Sequence, residues 1–175
     1  MNDYLRIGGL PAKELESLLL RGETPDPDAL AGWEFRGLNT PAFAKLLGIK
    51  KFVKGFYKSS VGQLYGYNVP VVQNAVDGPW EYKNPTNPKR FGFYRVDPVD
   101  AAARDNAYLH ALLLDYGRGG GSDLDPTTRL RDYLVRVEPG SDDLLLGKAF
   151  VAVGPARLPV SFFVLERLRP TQFRR

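Results

Sequence analysis

Short runs rich in Val, Leu, Phe and Tyr recur along the chain, separated by clusters of turn-forming residues. The runs at 30–38, 49–58, 63–74, 90–97, 107–116, 129–137, 143–153 and 159–168 read as β-strands. The breaks between them carry Ser59-Ser60, Asp77-Gly78-Pro79, Asn84 to Pro88, Gly117 to Pro126, Pro139-Gly140-Ser141 and Gly154-Pro155. One segment has helical spacing instead. From Pro11 to Arg21, Leu15, Leu18 and Leu19 fall on one face, Pro11 suits the first position and Gly22 supplies the stop. Glu23 to Asp28 reads as a turn-rich connector. A second short helix is expected from Pro41 to Leu47, with Thr40 as cap and Gly48 as terminator. One or two helical turns are expected over Pro98 to Asn106, with Asp97 as cap.

Eight strands with short connections call for antiparallel pairing, because a parallel crossover takes a dozen or more residues. Closure of such a sheet removes its edges. The expected fold is therefore mainly β, a single antiparallel up-and-down β-barrel of about eight strands with the N-terminal helix against an open end. A two-sheet sandwich is the alternative. An interior of eight strands holds either packed side chains or one small ligand. The 175 residues fit one domain, with helix and connector over 1–28, barrel over 29–168 and tail over 169–175.

Composition narrows the chemistry. The chain has no cysteine, which removes disulfides, thiol nucleophiles and thiolate metal sites. Its one histidine, His110, excludes a site built from several histidines. No metal and no cofactor are expected. The start of the chain lacks a basic segment followed by an apolar run, and no stretch approaches 18 apolar residues, so the expected location is cytoplasmic. The net charge is +4 but uneven. Residues 1–34 hold seven acids and three bases, whereas residues 35–76 hold no acid and six bases: Arg36, Lys45, Lys50, Lys51, Lys54 and Lys58. Either the acidic segment packs beside the basic strands, or the basic strands present a face to an anionic partner.

Three stretches carry a family resemblance. They are Leu30-Ala-Gly-Trp-Glu-Phe-Arg-Gly37, then Leu47 to Phe56, then Leu130 to Val137 followed by Leu144 to Lys148 and Ser161 to Arg167. Their order, over roughly residues 28–168, resembles the bacterial GXWXG-domain proteins with their C-terminal companion domain of unknown function. Aligned on Gly37, Phe35 stands where that family has its Trp and Trp33 where it has its first Gly. The resemblance implies a calycin-like barrel, similar to lipocalins or fatty-acid-binding proteins, and implies no established activity. By analogy with such barrels, it points to apolar or amphipathic ligands.

Candidate chemistry is sparse. If 107–116 is a strand, Tyr108 and His110 share a face, and His110 is a candidate general acid or base. Arg36, Asp132 and Glu166 interrupt apolar strands, and closure makes the first and last strands neighbours, so Arg36 and Glu166 are expected to pair. Asp132 and Glu166 are candidate proton carriers beside His110. Alternation in the sixth run leaves open which set faces inward. Tyr57, Tyr65, Tyr67, Phe93, Tyr108, Tyr133 and Phe163, with Arg36, are candidate cavity-lining residues. Lys50, Lys54 and Lys58 share parity with Phe52 and Phe56, and read as a solvated outer face or a nucleic-acid platform. Gly117 to Asp125 lacks a phosphate-loop ending and reads as a flexible loop at a barrel mouth, with Asp123 and Asp125 able to meet a hard cation weakly. The leading expectation is binding of a small apolar or amphipathic molecule in the barrel. The alternatives are an isomerase, cyclase or lyase using the same cavity, and an interaction of the basic face with anionic lipid or nucleic acid, with nucleic acid not the expected partner.

Overall fold

The computed structural model describes residues 3–40, 48–122 and 124–175. Strands form at all eight apolar runs: β1 Trp33–Asn39, β2 Lys51–Lys58, β3 Leu64–Pro70, β4 Phe91–Pro98, β5 Leu112–Asp115, β6 Leu130–Glu138, β7 Ser141–Val153 and β8 Ala156–Pro170. Each pairs antiparallel with the next, and β8 pairs antiparallel with β1, so the sheet closes. The seam aligns Arg36 with Glu166 and Asn39 with Phe163.

Among the described residues there are three short α-helices, within the expected number, but two of them lie at other places than expected. The expected helix forms as α2, Ala12–Arg21, with Pro11 at its cap. It is preceded by α1, Asp3–Gly8, and followed by α3, Pro27–Leu30. The connector contains α3 because Asp26 accepts the Asp28 N–H and Pro27 sits at the first helical position. The expected Pro41–Leu47 helix lies outside the described residues. Pro98 ends β4, and the segment that follows to Asn106 forms turns and bends rather than a helix. The fifth run yields a strand only over Leu112–Asp115, because Tyr108 to Ala111 closes as a turn.

The strands carry apolar residues on both faces, and both faces are buried. Inside the barrel lie Phe35, Phe56, Tyr94, Leu112, Leu134, Leu145 and Leu165. Outside lie Val53, Tyr67, Tyr133, Val135, Leu144, Leu146 and Val164, roofed by Tyr4 and Ile7 of α1, Leu15 and Leu19 of α2, Trp80 and Phe173. So α2 does not stop an open end as expected; its apolar stripe lies on the outer wall of β6 and β7. Leu30 of α3 fills one end, buried with Phe35 and Phe56. Inward glycines make room for rings: a Cβ at Gly147 would lie 2.1 Å from the Phe163 ring, and one at Gly66 2.2 Å from Tyr94.

Candidate functional site

At the end opposite α3 the interior holds a cavity of about 170 Å³. Its walls include Phe52, Leu130, Ala149 and Phe163; Ile49, Phe91 and Val160 stand at its partly exposed rim. A cavity near 150 Å³ accommodates a molecule of benzene size.

The floor is polar. Period-two alternation sends Phe52, Lys54 and Phe56 of β2 inward, together with Asn68 of β3 and Leu130, Asp132 and Leu134 of β6. Tyr116 enters directly after β5, where Asp115 caps a 3-10 turn over Tyr116–Arg118 by accepting the Gly117 N–H. The Lys54 ammonium donates to Asn68 Oδ1 at 3.1 Å, to the Tyr116 hydroxyl at 2.5 Å and to Asp132 Oδ2 at 3.1 Å. All three of its donors are thereby used. Tyr116 donates in turn to Asp132 Oδ2 at 3.1 Å. Rings of Tyr94 and Phe163 face the ammonium at 4.7 and 5.2 Å.

Lys54 is 2% exposed and Asp132 3%. Burial pushes the Lys54 ammonium below the usual lysine range, and the Asp132 charge offsets this only in part. Burial likewise pushes the Asp132 carboxyl up, against the pull of Lys54 and Tyr116. Burial and the Asp132 charge hold the Tyr116 hydroxyl well above its ordinary value, so it stays a donor. One atom is left over: Asp132 Oδ1 is buried and has no hydrogen-bond partner.

Of the residues singled out from sequence, Asp132 and Phe163 line this cavity. Arg36 and Glu166 do pair, but on the outer wall, where the guanidinium lies 4.8 Å from the Tyr4 ring and 5.1 Å from Trp80. Phe35 takes the inward place, so its neighbour Arg36 must face out. His110 is outside as well: its Nε2 bonds the Leu19 carbonyl at 2.9 Å and anchors the last turn of α2. His110, Asp132 and Glu166 therefore do not converge, and that proton-transfer constellation is set aside. Tyr57, Tyr65, Tyr67 and Phe93 form an outer patch with Phe173, whose ring centroid lies 4.8 Å from that of Tyr67. Tyr108 and Tyr133 pack beneath α2, with the Tyr108 hydroxyl donating to Glu16 at 2.7 Å. None of these six aromatic residues lines this interior cavity, although Tyr57 and Tyr65 line a second one of about 270 Å³ on the outer side, with Arg118 and Arg175.

Among the described residues the basic stretch does not form an open face, and Lys45 lies outside them. Lys54 is internal. The Lys51 ammonium donates to the carbonyls of Ala75, Gly78 and Pro79, each at 3.0 Å, with the Trp80 ring beneath it. Lys58 pairs with Asp28 at 2.6 Å, which joins the acidic segment to the basic strands. The glycine-rich loop packs closely: a Cβ at Gly119 would lie 1.9 Å from the Phe93 carbonyl. Asp125 caps a 3-10 turn over Pro126–Arg129 by accepting from Thr127, and Asp123 lies outside the described residues. No group of three His, Asp or Glu side chains placed to hold a metal occurs among the described residues.

Lys54, Asn68 and Tyr116 were not identified as site residues from sequence. The available signal was that Lys54 sits between Phe52 and Phe56 as Asp132 sits between Leu130 and Leu134. Two charges of opposite sign, each flanked by large apolar residues of the same parity, are candidates for a buried pair. Comparison with protein-family models, with curated proteins and with solved structures returned no match.

Proposed function

We propose that the barrel binds a small, mainly apolar molecule carrying one hydrogen-bond donor, with its apolar body against Phe52, Phe91 and Phe163 and its donor on Asp132 Oδ1. The observation that carries this reading is the unpartnered Oδ1 of a buried carboxylate beside an apolar cavity. A buried acceptor left unmade costs about 1–3 kcal/mol, which a hydroxyl or amide N–H on the ligand would recover. The Lys54–Asp132 pair is neutral as a unit, so the site favours an uncharged ligand. The volume suits one ring with a short substituent.

Titration of the protein with benzyl alcohol and with toluene, followed by heteronuclear NMR, tests the reading. Benzyl alcohol should bind roughly ten- to a hundredfold more tightly, the worth of a hydrogen bond to a charged acceptor. Shifts should centre on Phe163, Ala149 and Asp132. Equal binding of the two compounds would remove the donor requirement, and no binding of either would overturn the reading. Extraction of a stoichiometric small molecule from purified protein, seen by native mass spectrometry, would name the ligand class.

A further inference from the structure

We propose that Lys54 forms an imine with small apolar aldehydes or ketones that enter the barrel cavity; this rests on the cavity reading above and adds covalent chemistry to it. The lysines differ sharply in their surroundings. Lys148 is held as a cation by Glu16 at 2.6 Å and the Tyr108 hydroxyl at 2.8 Å. Lys51 is wrapped by carbonyls of the 74–79 loop. Lys13, Lys83 and Lys89 are exposed. Lys54 alone among these combines a cavity wall, near-complete burial and a carboxylate within hydrogen-bond reach. A desolvated lysine in an apolar pocket is a nucleophile once it is neutral.

The pair provides the proton path. The ammonium passes one proton to Asp132, leaving a neutral amine and a neutral acid, an exchange that burial favours on both partners. The Nζ lone pair attacks the carbonyl carbon, and the C=O π electrons move to oxygen. Asp132 gives its proton to that oxygen and takes one from nitrogen, which yields the carbinolamine. Asp132 then protonates the hydroxyl, the C–O bond breaks, water leaves and the nitrogen lone pair forms the C=N bond. The product is a protonated imine paired with the Asp132 carboxylate. The sum is ammonium plus carbonyl going to protonated imine plus water, with charge unchanged. The rings of Tyr94, Tyr116 and Phe163 that face the ammonium face the protonated imine in the same way.

Benzaldehyde with sodium cyanoborohydride is the probe. The borohydride delivers hydride to a protonated imine and fixes it as a benzylated lysine, which peptide mapping by mass spectrometry locates. Lys54 should be modified roughly tenfold or more faster than Lys13, Lys83 or Lys89. Benzyl alcohol should slow modification at Lys54 and at no exposed lysine. Val160→Phe, which crowds the cavity from its exposed rim and is not paired across the sheet with Lys54 or Asp132, should suppress Lys54 labelling in a folded protein; Lys54→Met should abolish the adduct. Labelling confined to exposed lysines while benzyl alcohol still binds would overturn the imine proposal and leave the cavity reading standing. Absence of both would overturn the two together.

Discussion

At the scale of single residues, the distinguishing feature is an ion pair kept, with Asn68 and Tyr116 beside it, inside a mainly apolar barrel. Removing one partner of a buried pair strands the other charge, which typically costs about 3–5 kcal/mol, whereas replacing both with apolar groups is often neutral. Asp132→Ala and Lys54→Met should each lower the urea midpoint strongly. The double variant Lys54→Met with Asp132→Leu should lie closer to the parent than either single change. An additive double variant would mean that the pair is solvated enough to act as two independent charges. His110 offers the contrast. His110→Ala should lose the bond to the Leu19 carbonyl, about 1 kcal/mol by urea unfolding, and leave benzyl alcohol affinity unchanged by calorimetry.

At the scale of elements, the positions of the strands were legible because turn residues punctuate the apolar runs, and each of the eight runs holds a strand. Which face turns inward was not legible. Phe35 beside Arg36, and Asp132 beside Tyr133, gave each strand two plausible interiors, since α1, α2 and the C-terminal tail bury the outer face almost as fully as the barrel buries the inner one. That second burial depends on contacts distant in sequence, so local alternation carries no trace of it. The same cause placed seven of the aromatic and arginine candidates on the outer wall and hid Lys54 among apparently solvated lysines. Glycine placement within a strand also becomes intelligible only in three dimensions. Gly147→Ala should press on the Phe163 ring, cost about 1–3 kcal/mol by denaturant unfolding and weaken binding in the cavity that Phe163 lines. Adding Phe163→Leu should restore much of the stability.

At the scale of the whole molecule, charge ties outer segments to the barrel and sets its response to acid. Asp105 accepts from Arg157 and, at 3.3 Å, from Arg131, which fastens the 99–111 segment to β6 and β8. Burial alone would raise the Asp105 carboxyl, but these bonds outweigh it and hold it below the usual 3.8; the bonds from Lys148 and Tyr108 do the same for Glu16. A carboxyl depressed in the folded state contributes stability that is complete above about pH 5 and is lost as the pH falls from its unfolded value through its lower folded value. Asp105→Asn should therefore give a melting temperature that declines less steeply on the acid side, as read by thermal unfolding across pH. Closure of the sheet has a consequence in time as well. Seven of the strand pairings join neighbours along the chain, while the eighth brings together residues 130 apart, as Arg36 and Glu166 are. Local hairpins can assemble early; the seam must wait for the longest loop to close. Because Asn39 meets Phe163 across that seam and both line the cavity, the pocket has no complete wall until the last pairing is made. A molecule held there would leave the folding rate untouched and slow unfolding alone, acting as a latch on the finished barrel and never as a template for it.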